Sequence, residues 1–299
     1  MNEIVAGVDG SPGSLAAVRW AADRASRGSA GLRLVCAVPR WAEDMPEWGP
    51  HAGVGRWARR DADDTLATAA RVAREVAPRL DVTTRRRGGE AAGCLVEAAT
   101  GAAMIVVGAC GCGGYLDLAL GSVADRVAGT SPVPVVVVRE GTDGEVDRLR
   151  DPYDGVVVAL DPASGVIEAA EVAAVEFAAE EAALRASRLC LISALAEWSG
   201  LRRAPEVPDA EEFLAERAAD LEQGLAGLLD AWSDRLGEIP ASAEVRRGRP
   251  VEVLLAAARR AELLVVGRNQ RSGRRGIGPV ARSVLHRAAC SVAVVPPRH

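Results

Sequence analysis

The sequence predicts an α/β protein built from two tandem doubly wound domains, each a five-stranded, mainly parallel sheet flanked by helices. Short β-branched runs alternate with long Ala-rich amphipathic segments, the pattern of parallel βαβ units. The order of those segments repeats once, at an offset of roughly 152 to 160 residues, far longer than a solenoid repeat. A polar, Gly- and Pro-punctuated stretch, EGTDGEVDRLRDPYD (140–154), separates the copies as a domain boundary should. The expected division is a first domain over 1–140, a linker over 141–153 and a second domain over 154–299.

In the first copy, IVAGVD (4–9) reads as a strand and SLAAVRWAADRAS (14–26) as a helix. LRLVCAV (32–38) is a second strand, RWARRDADDTLATAARVAREVA (56–77) a second helix and DVTTRR (81–86) a short strand. A helix around EAAGCLVEAA, the strand MIVVG, a glycine loop, a helix from Gly121 and the strand VPVVVVR complete it. In the second copy GVVVALD (155–161) echoes the first strand, and an Ala/Glu-rich helix over about 165–185 follows. RLCLISA echoes LRLVCAV, RRGRPVEVLLAAA echoes RRRGGEAAGCLVEAA, LLVVG (263–267) echoes MIVVG, and SVAVVPP closes the chain. Each copy carries an insertion after its second strand. PRWAEDMPEWGPHAGVG (39–55) holds Trp41 and Trp48, and LAEWSGLRRAPEVPDA (195–210) holds Trp198. These tryptophans either fold back onto their domain or form a lid or partner surface.

Composition narrows the function classes. Hydrophobic residues are 49% of the 299 but aromatic ones only 3%, so the core is built from Ala, Val and Leu. A net charge of −5 argues against a nucleic-acid or anionic-membrane surface. No apolar run approaches the roughly 18 residues of a membrane span, and MNEIVAGVDG has neither a basic n-region nor a long h-region. The six cysteines are scattered through apolar runs, as reduced core thiols of a cytoplasmic protein would be. All 36 basic residues are arginine. The absence of lysine excludes a Walker-A lysine, a Schiff-base enzyme and a lysine general base.

The stretch GACGCGGYLDLALGSV (108–123) follows the strand MIVV and concentrates glycine at 108, 111, 113, 114 and 121. In a doubly wound sheet, ligands bind beyond the carboxyl ends of the strands where strand order reverses. Glycines there let the backbone form a concave nest of N–H donors, and a helix starting at Gly121-Ser122 offers unpaired N–H groups and positive partial charge. A phosphate-bearing ligand meets those requirements. A loop that uses its glycines only for turns and a cap is the plainer alternative.

The spacing Gly108, two residues, Gly111, nine residues, Gly121-Ser122 resembles the signature of ATP-binding universal stress proteins. VDGSPGSLAAVRWAA (8–22) and GSVADRVAGTSPVPVVVVR (121–139) are similar to that family's opening and closing segments. Both halves share the likeness, in the tandem form common among actinobacterial members. The resemblance implies a Rossmann-like, adenine-nucleotide-binding fold with ATP as ligand, magnesium accompanying the triphosphate. It also implies that Asp9 faces the adenosine part and that the Val38 backbone contacts adenine. Gly108 and Gly111 would line ribose and phosphates, and Gly121, Ser122 and Val123 would form the phosphate-binding helix start. Asp9 has an alternative role as a cap for the helix beginning near Ser14.

The second half departs from this pattern. Asp161 matches Asp9, but Pro162 follows it where Gly10 follows Asp9; Gly267 matches Gly108, but Gln270 stands at the next glycine. Pro279 follows Gly278 where Ser122 follows Gly121, removing a hydroxyl and an N–H together. The expectation is a degenerate site. Arg268, Arg271, Arg274 and Arg275 in that loop either grip a different anion through their side chains or form a solvated basic loop.

Other constellations carry less. Cys110 and Cys112 lie in the nucleotide loop, but a zinc site wants four ligands and no matching Cys/His pair is near. They are either small loop residues or a redox-sensitive pair. The three histidines, His51, His286 and His299, sit beside no evident nucleophile, and no catalytic or metal-ligating residue is assigned. The expected function is ATP binding in the first domain as a regulatory ligand of a stress-response protein, with at most weak hydrolysis. The alternatives are a slow ATPase or nucleotidyl-transferring enzyme, and a nucleotide-free scaffold for an unknown protein partner. The edge strands VPVVVV and SVAVV are expected to let the domains pair within one chain, with a homodimer as a further form.

Overall fold

The computed structural model describes residues 3–111, 120–139, 154–161, 169–196, 210–268 and 276–297. The linker, Cys112, Pro162, Trp198, Gln270, Arg271, Arg274, Arg275 and His299 lie outside them. The chain divides into two compact units, Met1–Gly141 with Gln270–Ile277, and Thr142–Asn269 with Gly278–His299.

In the first unit the described elements are β1 (Glu3–Gly7), α1 (Pro12–Arg27), β2 (Gly31–Val38), α2 (Arg40–Glu43), α3 (Ala52–Val76), β3 (Val82–Gly88), α4 (Ala91–Ala98), β4 (Met104–Gly108), α5 (Ser122–Thr130) and β5 (Val135–Val138). The strands run in the order β3-β2-β1-β4-β5, all parallel. β1 lies between β2 and β4, so chain direction across the sheet reverses beside it. That is where a doubly wound sheet opens a crevice.

Local chemistry accounts for the boundaries. α1 starts because Ser11 Oγ accepts the Ser14 N–H at 3.1 Å and Pro12 fits the first turn; it stops at Gly28, whose N–H donates to the Arg24 carbonyl. Its Ala17, Val18, Ala21, Ala22 and Ala25 recur at helical spacing and are fully buried. α4 is capped by the Glu90 carboxylate, which accepts from the Ala92 and Gly93 N–H groups. The core is aliphatic, with Ile4, Leu32, Leu34, Met104 and Ile105 among its largest fully buried side chains.

Part of the first insertion, read from sequence as loop, is helical. α2 occupies Arg40–Glu43 and α3 begins at Ala52, ahead of the expected start at Arg56. Tertiary contacts explain the difference. Arg59 Nη1 donates to the carbonyls of Ala42 (2.6 Å) and Met45 (3.2 Å), and Arg86 bridges Glu43 and Asp63 at 3.0 and 2.5 Å. Those long-range partners hold a turn that local propensity alone would not.

The second unit contains β6 (Gly155–Leu160), α6 (Ala169–Arg185), β7 (Arg188–Leu195), α7 (Ala210–Leu236), β8 (Ala241–Arg247), α8 (Pro250–Ala258), β9 (Leu263–Gly267), α9 (Pro279–Arg287) and β10 (Ser291–Val295). Its strand order, β8-β7-β6-β9-β10, is again parallel and places β6 as β1 is placed. Among the described residues no helix is long and apolar enough to cross a membrane.

Candidate functional site

A cavity of about 460 Å³ opens beyond the carboxyl ends of β1 and β4. Its volume lies in the range typical of small-molecule sites, roughly 300–1,000 Å³. One side is apolar: Val35 and Ala37 from β2, Val107 from β4, and Ala91 and Leu95 from α4. The other is polar and glycine-rich: Asp9, Ser14, Gly108, Gly111, Gly121 and Ser122, with Val123 beside them.

The polar side is built by the turn after β1. Asp9 Oδ1 accepts from the Ser11 N–H (3.0 Å) and from Ser11 Oγ (2.6 Å), forming an Asx turn that feeds α1. The Asp9 N–H meets Ser14 Oγ at 3.4 Å. The helix cap is therefore Ser11, with Asp9 bracing it from two residues upstream. The second carboxylate oxygen faces the loop after β4, since it would clash with a Cβ on Gly111.

The loop after β4 touches α1 directly. A Cβ at Gly108 would lie 2.6 Å from the Gly13 carbonyl group, where backbone cannot yield. At the other end, the Gly121 N–H donates to the Ala109 carbonyl at 2.7 Å, pinning the return of the chain beside its departure. No side-chain hydrogen bond caps α5 at Gly121. Ser122, Val123 and Ala124, its first residues, all line the cavity. A helix start set against a cavity directs backbone N–H groups and positive partial charge at whatever occupies it.

Of the residues expected from sequence, Asp9, Gly108, Gly111, Gly121, Ser122 and Val123 are brought together in this cavity. Val38 is not among its lining residues. It is buried, and its carbonyl accepts the Gly89 N–H at 2.9 Å. Ala37 is the last β2 residue on the cavity wall. The apolar wall was not anticipated. Its signal lay in the period-2 pair Val35 and Ala37 and in the i, i+4 pair Ala91 and Leu95. Cys110, weighed as a redox residue, also lines the cavity. Cys36, on the opposite face of β2 from Val35 and Ala37, has its thiol pushed up to about 11 by burial and then by Asp9, Asp61 and Asp63, with Arg86 opposing.

The corresponding region of the second unit keeps the frame and changes the residues. The Asp161 N–H donates to the Glu171 carboxylate at 2.7 Å, where Asp9 uses the smaller Ser14. Gly267 ends β9 as Gly108 ends β4, and Pro279 opens α9. The Arg268 N–H donates to the Val295 carbonyl as the Ala109 N–H does to that of Val138, so Arg268 occupies the position of Ala109. Arg268 is only 8% exposed, and burial lowers its pKa. Its side chain is thus not the solvated basic residue of the plainer reading from sequence.

Among the described residues no group of three or more His, Cys, Asp or Glu side chains could hold a metal ion. Among the described residues Asp9 is the one charged residue lining the first unit's cavity.

Comparison with known proteins places this architecture. The profile of the Universal stress protein family matches residues 1–139 and 152–296, one match per half. A universal stress protein of Mycolicibacterium smegmatis is 33% identical over 304 residues, spanning 99% of this chain and 97% of the relative. One from Mycobacterium tuberculosis is 30% identical over 299 residues, spanning 97% and 96%. The crystal structure of a universal stress protein from Archaeoglobus fulgidus shares the fold at a TM-score of 0.69 with 16% identity, covering 99% of this chain and 96% of that one. With both halves matched and relatives aligned end to end, the chain belongs to the universal stress protein family, a family of nucleotide-binding stress proteins.

Proposed function

We propose that the first unit binds one ATP as a regulatory ligand and that the second binds none. The observation that carries this reading is the joining in one cavity of an apolar wall with an uncapped helix start. In this reading the base lies against the apolar wall of Val35, Ala37 and Leu95, while the phosphates meet the Gly121–Val123 turn and the Ser122 hydroxyl. The glycines at 108 and 111 keep side chains out of the path between those ends. Among the described residues no arginine lines the cavity, and the chain has no lysine, so phosphate charge is met by backbone dipoles. Magnesium would arrive on the phosphates, with Asp9 the one carboxylate among the described lining residues.

A ligand held by dipoles, next to an aspartate already engaged by Ser11, is bound rather than turned over. Phosphoryl transfer wants a positioned base and cationic clamps, and the described lining residues supply neither. Bound nucleotide instead props the loop after β4 against α1 and α5, so its presence is reported as loop and surface geometry. The exposure of Trp41 (54%), Trp48 (82%) and Trp57 (67%) favours a protein partner at the α2–α3 insertion as a second role.

The test is the nucleotide content of purified, denatured protein, followed by ATP titration of the emptied chain. The expected result is one ATP per chain. Two per chain would overturn the reading of the second unit, and none at millimolar ATP would leave the scaffold role.

A further inference from the structure

We propose that a groove at the edge of the first unit's sheet, walled by Arg33, Arg85 and Arg87, binds a compact, multiply charged oxyanion of the diphosphate type. The site does not depend on what the cavity above holds.

β3 is the edge strand of this sheet. Side chains two apart on a strand share a face, so Arg85 and Arg87 stand together, roughly 7 Å apart along the strand. The register pairs Arg33 with Thr83, Val35 with Arg85 and Ala37 with Arg87, which puts all three arginines on one face. Together with Arg86 and Ala98 they line a groove of about 300 Å³.

Charge in the groove is only partly compensated. Arg33 is fixed in place, its Nη1 donating to the Ala98 carbonyl at 3.1 Å and its Nη2 paired with Glu3 at 2.5 Å. The Arg86 side chain is spent elsewhere, between Glu43 and Asp63. Neither Arg85 nor Arg87 forms an ion pair with an acid among the described residues, and no acid lines the groove. Three guanidiniums against the one Glu3 carboxylate leave two positive charges facing a pocket of small-ligand size. Guanidinium forks match phosphate and carboxylate oxygens two at a time, and spacing along the strand suits a ligand with two anionic centres.

Charge on an edge strand also discourages strand pairing between molecules. That role explains neither Arg33, which is on the inner strand, nor the other half of the chain. There the Gly248 N–H bonds Leu195 as Gly89 bonds Val38, so Arg33, Arg85 and Arg87 correspond to Cys190, Glu244 and Arg246. Arg246 is paired with Glu244. The second edge is charged but neutralised, whereas the first is charged and open.

The experiment is calorimetric titration of the full-length protein with inorganic pyrophosphate, alongside Arg85→Gln/Arg87→Gln and Arg85→Lys/Arg87→Lys. The expected outcome is a binding step with Kd on the order of 0.1 mM that weakens at least about tenfold in both double variants, because lysine keeps the charge but loses the fork. Thermal melts identify any variant that fails to fold. Arg87→Gln alone, at an exposed edge position, then serves in its place with a loss of at least about threefold. Unchanged binding in the glutamine variant, equal binding in the lysine variant, or no binding to the wild-type chain at millimolar pyrophosphate would each overturn the site. ATP titration of the same glutamine variant separates the two sites: ATP binding persists there if the cavity works, whatever pyrophosphate does.

Discussion

The two halves share strand order, an aspartate after the first strand and a glycine after the fourth, yet they differ where space is needed. In the first unit the Asp9 N–H meets Ser14 and the loop after β4 continues with Ala109; in the second the partners are Glu171, 6% exposed, and Arg268. At the helix start, Ser122 in one half corresponds to Pro279 in the other. A ligand cavity in this fold is thus a property of small residues at the carboxyl ends of the strands. The topology survives when they are replaced, because the sheet core beneath is untouched, but two buried ionisable side chains now sit where small ones leave room.

The largest expected effect comes from breaking that asymmetry at the helix start. Gly121→Asp sets a carboxylate against the phosphates and should weaken ATP binding at least about 100-fold, the scale of like charges a few Å apart in a partly dry site. Gly278→Asp, where a Cβ meets open space, should leave ATP stoichiometry unchanged. Equilibrium dialysis with labelled ATP measures both. Importing the second half's residue by Ser14→Glu should cost about tenfold in ATP affinity, and the same titration would sharpen how much of the difference rests on that position.

Stability separates the halves next. Gly108→Ala drives a Cβ into backbone at 2.6 Å, whereas Gly267→Ala meets the Ala170 carbonyl oxygen at 3.2 Å. Urea denaturation should show a loss of about 1–3 kcal/mol for the first and a smaller loss for the second. Loss of equal size would mean that the two loops pack alike.

Alkaline pH should affect both halves together. Burial pushes Cys36 and Cys190 from 9.0 to about 11. A thiol whose folded value is raised holds its proton more tightly in the folded state. Its stabilising contribution is complete below pH 9 and is lost as pH rises toward 11. With no lysine in the chain and only two tyrosines, few other groups titrate there. The melting temperature should therefore fall across that window, and the fall should shrink in Cys36→Ala/Cys190→Ala. The smallest effect is expected at Arg86, which ties β3 to α2 and α3 in the first half and corresponds to Val245 in the second. Arg86→Gln should cost about 1 kcal/mol, as a partly exposed ion pair does.

Much of this was legible in the sequence. Alternating β-branched and Ala-rich segments identify parallel βαβ units, since period and composition follow from which faces are buried. The glycine spacing pointed to the loop from Gly108 and Gly111 to Gly121 and Ser122, because backbone requirements leave a mark in residue type, whereas Asp9 and Val123 were reached through the family resemblance. The apolar wall left only its periodicity. Val35, Ala37 and Leu95 read as ordinary core, and only the packing of α4 over β2 turns them toward a cavity. The helical start of the first insertion was hidden for a similar reason: Arg59 and Arg86 stabilise it from far along the chain.

What the sequence by itself determined, then, is the βαβ order, its repetition and the places where backbone must come close without side chains. Only the tertiary structure decided that Arg268 is buried, that Ala37 rather than Val38 walls the cavity, and that Arg33, Arg85 and Arg87 share one open face. Burial and charge balance depend on neighbours from distant segments, and no local pattern encodes which of those neighbours will be small, apolar or already paired.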